Sequence, residues 1–308
     1  MEEMTCSLCP RNCRALRTDT RGLGACRMPA APVAARAALH HWEEPPISGS
    51  RGSGAIFFSG CSLGCVFCQN RKISQQDFGE GITLERLREI CGELISQGAH
   101  NLNFVNPTHY AHILGELLER CRPTVPVVFN TGGYDKVDTL RTLEGKVDIY
   151  LPDLKYLDGE TAGRYSKAPD YPETAQAAIR EMVRQTGPCQ FDDNGLLLKG
   201  TVIRHLVLPG QVGQAKAVMD WVSQEFPART VLFSLMSQYT PWGDLKNCPE
   251  INRRLRPSEI RAAREYMENL GLAGFTQERT SAREEYTPPF DLTGVLSIPS
   301  KHGKETSQ

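Results

Sequence analysis

The sequence predicts an α/β fold, a partial (β/α)6 barrel preceded by a cysteine-rich N-terminal arm. Three observations predict it. From residue 54 to 275, short apolar β-runs alternate with amphipathic helical stretches, and βα units in series give parallel strands with right-handed crossovers. The alternation holds six units in roughly 220 residues, whereas a closed eight-unit barrel needs about 250. Residues 1–48 stand outside the core and carry Cys6, Cys9, Cys13 and Cys26. The expected organisation is an arm over 1–48, a core barrel over 49–275 and an extended tail over 276–308. A doubly wound open sheet is the alternative. In either arrangement, ligands gather where the C-terminal ends of the strands meet the loops.

The elements follow in order. The first strand is AIFFS, residues 55–59. A helix opens after it with Thr83 as cap and Glu85 in the first turn. Leu84, Leu87, Ile90, Cys91, Leu94 and Ile95 form its apolar face, and Gly98 stops it. The second strand is 101–105. The next helix carries Ile113, Leu114, Leu117, Leu118 and Cys121 and ends before Pro123. Strands follow at 125–130, 147–151, 202–208 and 231–235, with helices at 135–143, 171–184, 214–225 and 258–270, the last stopped by Gly271. Cys91 and Cys121 read as small buried hydrophobes on apolar stripes. Cys189 and Cys248 carry no assigned role. From residue 276 the chain is polar, with Pro288 and Pro289.

The chain has 308 residues, 40% hydrophobic and 23% charged, with a net charge of −1. That balance gives no global pull toward nucleic acid or an anionic membrane. The start, MEEMTCSLCPRNC, lacks an apolar signal region, and no run approaches the roughly 20 apolar residues of a membrane span. A cytoplasmic protein is expected. Disulfides are then disfavoured. Seven of the 11 cysteines sit in two tight groups, which reads as metal ligation.

The central group is Cys61-Ser-Leu-Gly-Cys65-Val-Phe-Cys68, C-x3-C-x2-C on the loop that leaves the first strand. Three thiolates so spaced can wrap one soft-metal centre. A structural zinc wants a fourth ligand, here a distant His or Cys. A [4Fe–4S] cubane held by three cysteines keeps one iron open, and an open position suits a site that binds substrate.

The triplet, with an aromatic before its last cysteine, resembles the radical S-adenosylmethionine (SAM) superfamily. Cys61, Cys65 and Cys68 match the cluster ligands one for one, and Phe67 matches the aromatic that flanks the adenine. The continuation Cys68-Gln69-Asn70 is similar to the activating enzymes of glycyl-radical enzymes. VIRHLVLPG (202–210) looks like the fifth-strand segment of pyruvate formate-lyase activating enzyme, and YLPDLKY (150–156) like its fourth-strand segment. CSLCPRNC, HWEEPPISG (41–49) and SLMSQYTPW (234–242) resemble the PflX-type branch. The resemblance implies a TIM-like radical SAM barrel, a [4Fe–4S] cluster and SAM, cleaved by one electron to a 5′-deoxyadenosyl radical that abstracts hydrogen. It implies an oxidoreductase with a glycyl-radical enzyme as partner and an electron donor such as flavodoxin or ferredoxin. Asn70, Asn106, Thr108, Asn130, Asp153, Lys155 and Arg204 would surround the cofactor, Arg204 near its carboxylate. The chain departs from the family where the second strand ends Asn106-Pro107-Thr108 in place of a Gly-Gly-Glu-like stretch. Its third strand ends Asn130-Thr131-Gly132-Gly133 where activating enzymes have an Asp, which weakens the case for a cation near Asp153.

The N-terminal group, Cys6-x2-Cys9-x3-Cys13-x12-Cys26, supplies enough thiols for a closed metal site. Its segment has few large apolar residues, so a metal would supply missing folding energy. Zinc and a second iron–sulfur cluster both fit. His109 reads as a proton donor or as a polar helix start; His40, His41 and Trp42 read as packing the arm onto the barrel. Other functional classes are a SAM enzyme acting on a small molecule, a zinc-stabilised binding protein, and a non-radical barrel enzyme whose triplet stores metal or shuttles electrons.

Overall fold

The arm opens with a hairpin of β1 (Met4–Thr5) and β2 (Leu16–Arg17). The computed structural model describes residues 4–20, 22–243, 245–277 and 288–296, and its chain continues into β3 (Val33–His40), α1 (Pro45–Ser48) and β4 (Ser53–Phe58). Next come α2 (Arg71–Ser74), β5 (Glu80–Gly81), α3 (Leu84–Ser96), β6 (Leu102–Val105), α4 (Ala111–Arg120), β7 (Val127–Thr131), α5 (Val137–Arg141) and β8 (Ile149–Pro152). The series ends with α6 (Gly159–Ser166), α7 (Tyr171–Thr186), β9 (Gln190–Phe191), β10 (Leu197–Leu206), α8 (Val212–Glu225), β11 (Leu232–Met236), α9 (Pro257–Leu270) and β12 (Gly274–Gln277).

The six expected strands are β4, β6, β7, β8, β10 and β11, and they lie parallel in that order. A further parallel strand, β12, pairs with β11 and carries the sheet two residues into the expected tail. At the other edge β3 runs antiparallel to β4, and β5 antiparallel to β3. Residues 33–40, expected in the arm, extend the barrel sheet instead. Among the described residues no pairing joins β12 to β5, so the barrel is open. The sheet is nevertheless curled. Asn103 of β6 and Arg204 of β10 both reach the Glu43 carboxylate although β7 and β8 lie between them.

Local chemistry explains the elements. The Thr83 hydroxyl accepts the Arg86 amide at 3.0 Å, and Leu87, Ile90, Cys91 and Leu94 turn one face of α3 to the sheet. Gly271 caps α9 in the left-handed region. Cys121 departs from expectation: it lies just past the last turn of α4 with extended backbone, and its side chain is exposed rather than on the stripe.

Strand residues alternate between two apolar environments, as parallel sheets covered on both faces require. Outward residues such as Phe104 and Phe129 meet the helices. Inward residues Val128, Ile149, Leu151, Val202 and Leu232 form the barrel floor, and α1 inserts Ile47 among them as a plug. Asn101 holds that plug, its amide donating to the Ile47 carbonyl at 2.7 Å. Residues 288–296 fold back on the other edge. The Ala37 amide donates to the Thr293 carbonyl at 2.8 Å, the Leu292 amide to Ala35 at 3.0 Å, and Val295 is fully buried. The rest of the expected tail, 278–287 and 297–308, lies outside the described residues. Among the described residues no helix is long and apolar enough to cross a membrane.

Candidate active site

The last residues of β4 run straight into the triplet loop. Gly60 begins it at φ +80°, and a Cβ there would stand 2.2 Å from Met28 Cγ and 2.8 Å from the Cys26 carbonyl oxygen. Only glycine lets the arm lie so close to the loop. The loop is then pinned on several sides. The Gly64 amide donates to Ser166 O at 3.2 Å, Val66 to Tyr165 O at 2.8 Å, Gln75 Nε2 to Cys65 O at 2.8 Å and Arg11 Nε to Ser62 O at 2.8 Å. Asn70 closes the loop, its carbonyl accepting from Ile73 and Ser74 to start α2.

Cys65 and Cys68 lie close enough to Cys61 to act on its ionisation. Burial pushes Cys61 up to about 12, and the nearby Cys65 and Cys68 add to the rise. Burial also raises Cys68, with Cys65 contributing and a Ser74 hydrogen bond opposing. Two buried thiols whose ionisation is made harder by a third beside them are donors a cationic centre would relieve. As free thiols they turn to hydroxyls: Cys65 Sγ lies 3.0 Å from Ser166 Oγ and Cys68 Sγ 3.3 Å from Ser74 Oγ. Among the described residues, no three donors from Cys, His, Asp and Glu converge within reach of a single ion.

Beside the loop, Phe67 is buried against Tyr239 in an edge-to-face contact with centroids 6.0 Å apart. Behind it lies a charged network. Arg204 donates from Nε to Asp153 Oδ1 at 2.9 Å, from one terminal nitrogen to Asn130 Oδ1 at 2.8 Å, and from the other to Glu43 Oε2 at 3.4 Å. Lys155 Nζ donates to the other Asp153 oxygen. Burial opposes the charge on Asp153, but Arg204 and Lys155 outweigh it and hold the carboxyl below its ordinary value. Burial likewise opposes Lys155, and Asp153 and then Cys65 outweigh it, so the ammonium is raised. Burial raises Glu43 and Glu44 against the pull of Arg204. The side chain of Lys155 thus stands between Asp153 and the triplet. Tyr171 fixes that strand end, its hydroxyl bridging Gly132 O, Asp153 O and the Lys155 amide.

The second-strand end is also built. Asn106 takes a left-handed backbone, φ +59°, and its amide side chain donates to the Gly60 carbonyl. Thr108 and Thr131 hydroxyls donate to the two oxygens of Asp135, at 2.7 and 2.6 Å. Burial pushes Asp135 up to about 6 against those two bonds. Asp135, Glu43 and Tyr171 were not singled out from sequence. Asp135, four residues beyond the end of β7, sets a buried carboxylate against the second-strand end through Thr108. His109 is not placed as a proton donor: its Nε2 is 2.7 Å from the Ser59 carbonyl, and burial, then Arg17, pushes the imidazole down to about 3. It is a neutral strut.

The N-terminal thiols are also brought together. Cys6, Cys9 and Cys26 are buried and Cys13 is exposed. Burial pushes Cys9 up to about 12, and Cys26, Cys6 and Cys13 all add to it. Arg17, which ends the hairpin, reaches across to donate to the His109 carbonyl at 2.5 Å. Two cysteine groups thus meet at the first strand's mouth.

An open parallel barrel with three thiols on the loop after its first parallel strand is the outline of a barrel metalloenzyme. The radical SAM superfamily profile matches residues 55–222. An uncharacterized protein of Methanocaldococcus jannaschii is 32% identical over 278 residues, covering 87% of this chain and 75% of that protein. The chain belongs to the radical SAM superfamily. Among solved structures, Streptococcus suis SuiB bound to S-adenosylmethionine is 17% identical with a TM-score of 0.50, covering 73% of this chain and 50% of SuiB. A domain of pyruvate-formate lyase-activating enzyme from Bacteroides vulgatus is 14% identical with a TM-score of 0.41, covering 55% of this chain and 92% of that domain. Membership implies a [4Fe–4S] cluster and SAM as cofactors.

Proposed function

We propose that Cys61, Cys65 and Cys68 hold the [4Fe–4S] cluster, and that the protein uses SAM to abstract hydrogen from a partner protein in the manner of an activating enzyme. The observation that carries this reading is the placement of Cys61, Cys65 and Cys68 on one pinned loop at the barrel mouth, with Cys65 acting on the ionisation of both Cys61 and Cys68. When bound, the cluster supplies the single electron that splits the sulfonium into methionine and a 5′-deoxyadenosyl radical.

The chain's own residues bind and orient. Phe67, shelved on Tyr239, offers an apolar face for the adenine. Asn106 and Thr108 offer oxygens toward the methionine amino group, and Lys155 offers an ammonium toward its carboxylate. Asp153, Asn130 and Glu43 occupy the Arg204 guanidinium, so Arg204 acts by positioning Asp153 and Lys155 rather than by touching the cofactor. Asn70 orients the last ligand by starting α2. Water exclusion falls to the Ile47 plug below and the arm beside the loop. The catalytic unit reaches beyond 49–275, because β3 and the Glu43–Ile47 segment complete its wall and floor. A glycyl-radical enzyme is the substrate we favour, with ferredoxin or flavodoxin as electron donor in the cytoplasm. Trp242, partly exposed on the segment that carries Tyr239, gives an extended guest loop an apolar landing.

The test is anaerobic reconstitution with iron and sulfide, then SAM and dithionite. The wild type forms 5′-deoxyadenosine and Cys65→Ala forms none; normal turnover by Cys65→Ala would sink the ligand assignment. Adding the host's glycyl-radical enzyme should give a protein-centred doublet in electron paramagnetic resonance. Cofactor cleavage with no doublet moves the substrate to a small molecule.

A further inference from the structure

We propose that Asp135 is a positioning residue for SAM: it holds the Thr108 hydroxyl as a pure acceptor toward the methionine amino group, and it gives up a proton when SAM binds. The inference rests on the placing of Thr108 in the function proposed above.

Three buried side chains close a ring across two strand ends. Thr108 follows β6, Thr131 ends β7, and Asp135 lies four residues further on. The ladder between β6 and β7 ends at Val105 and Asn130, and past it these side chains make the tie. Thr108 Oγ1 donates to Asp135 Oδ1 at 2.7 Å and Thr131 Oγ1 to Asp135 Oδ2 at 2.6 Å. The two hydroxyl oxygens lie 3.3 Å apart. All three residues are at most 3% exposed.

Counting protons gives this ring two states. Each hydroxyl has a single proton and two lone pairs. With Asp135 ionised, both protons go to the carboxylate, and none remains for the contact between the hydroxyls. Thr131 Oγ1 still accepts the Gly133 amide at 3.2 Å. Thr108 Oγ1 is then an acceptor only, and an N–H donor from a ligand completes it. With Asp135 protonated, the carboxyl can donate to Thr108, Thr108 to Thr131, and Thr131 back to the other Asp135 oxygen. That neutral ring satisfies itself, and Thr108 has already accepted a bond within it.

The charge points the same way. Burial pushes Asp135 up to about 6, the two hydroxyls oppose the rise, and no cation among the described residues joins them. A carboxylate buried without a counter-charge is costly and takes up a proton instead. Tyr150 of β8 and Tyr171 of α7 are ionisable and feel Asp135, but burial raises both, so both stay neutral. SAM brings a positively charged amino group to the Thr108 side of the ring. A donor there favours the ionised state, so binding of SAM and deprotonation of Asp135 assist one another. The proton leaves to solvent, and no bond of SAM changes.

The experiment is calorimetric titration of the full chain, carrying its reconstituted cluster, with SAM under anaerobic conditions. Reductant is left out so that SAM is not cleaved. Two buffers of different ionisation enthalpy give the number of protons released. Asp135→Asn is the reference, because it is an isostere of the neutral acid and every other titrating group cancels. At pH 6 the wild type should release about half a proton more than Asp135→Asn. Its affinity should fall about fourfold between pH 7.5 and pH 5.5 relative to that variant. At pH 7.5 Asp135→Asn should bind SAM at least about tenfold more weakly than the wild type. Thr131→Val removes a bond that favours the carboxylate, so the midpoint of the affinity profile should move above 6. Equal proton release and parallel profiles in wild type and Asp135→Asn overturn the inference. So does a larger release by Asp135→Asn, which would make Asp135 a proton acceptor. Should Asp135→Asn not fold, an unmoved midpoint in Thr131→Val overturns it. Thr108→Val separates the two readings. Wild-type affinity in that variant removes Thr108 from the cofactor site and the inference with it. Weakened binding by Thr108→Val, with no difference between wild type and Asp135→Asn, sinks the role of Asp135 alone.

Discussion

Replacing Arg204 with Met tests the charged network most directly. Arg204 is the hub of a buried set: its side chain is 14% exposed, Asp153 18% and Glu43 10%. It bonds both carboxylates and Asn130, and Lys155 is the second cation of the network. Met keeps the length of the apolar stem, so little of the loss comes from a cavity. What remains is a buried Asp153 with one partner and a buried Glu43 with only amide donors. Breaking a buried ion pair from one side costs about 3–5 kcal/mol, and that is the loss expected near pH 8. The pH dependence adds a sharper check. With Arg204 present, the Asp153 carboxyl is held low, so its stabilisation persists until the solution is strongly acidic. Without it, the folded state holds protons on the carboxylates that the unfolded chain has released. The variant then loses stability as pH rises, by about 1.4 kcal/mol per pH unit for each such proton. The deficit should shrink between about pH 8 and pH 5.5. The assay is urea unfolding of the metal-free chain under reductant, followed by tryptophan fluorescence at both values. A loss below about 1 kcal/mol, or a deficit that does not shrink on acidification, would refute the network as drawn.

Gly60→Ala places a Cβ against Met28 and the Cys26 carbonyl in a left-handed backbone; a loss of about 2–4 kcal/mol and earlier proteolysis in the arm are expected, and wild-type protease resistance would count against the close approach. His109 is neutral when folded, its value pushed down to about 3 from 6.5. Its contribution is present above pH 6.5 and fades as pH falls through that window, so His109→Gln should flatten the acid limb of the stability profile. Asp135 has the opposite sign: raised from 3.8 to about 6, it favours folding at low pH, and that gain is lost as pH rises through 6. Asp135→Asn should remove this slope, which urea midpoints between about pH 4 and pH 6 would show.

The barrel was legible because its signal is repeated. Each of the six parallel strands is an apolar run between helices with periodic faces, and the same burial pattern recurs along the chain. The edges were not legible for the same reason. Residues 33–40 have the short side chains VAARAALH, which alternate weakly and read as arm. Strand β12 is four residues ending in polar Thr276 and Gln277, and its identity comes from pairing with β11 rather than from its own pattern. Cys121 shows the limit of periodicity at a helix end, where the backbone leaves the helix and takes the side chain off the face.

The site divides along the same line. Cys61, Cys65 and Cys68 lie within eight residues on one loop, so spacing alone announced them. Glu43 could not announce itself, because Glu-Glu-Pro-Pro reads as a solvated surface turn until the sheet curls around it. A charge argument was nevertheless available. Asn103, Asn130 and Arg204 are polar residues within apolar β-runs, which a sheet tolerates only when each finds a partner. Asp153 is a carboxylate at the end of β8, and it faces both Arg204 and Lys155. Two cations against one anion leave an interior charge that burial makes costly. The balance calls for a second carboxylate from outside the strands. The segment that enters the barrel floor just before β4, where Ile47 plugs the apolar layer, is the one that carries it.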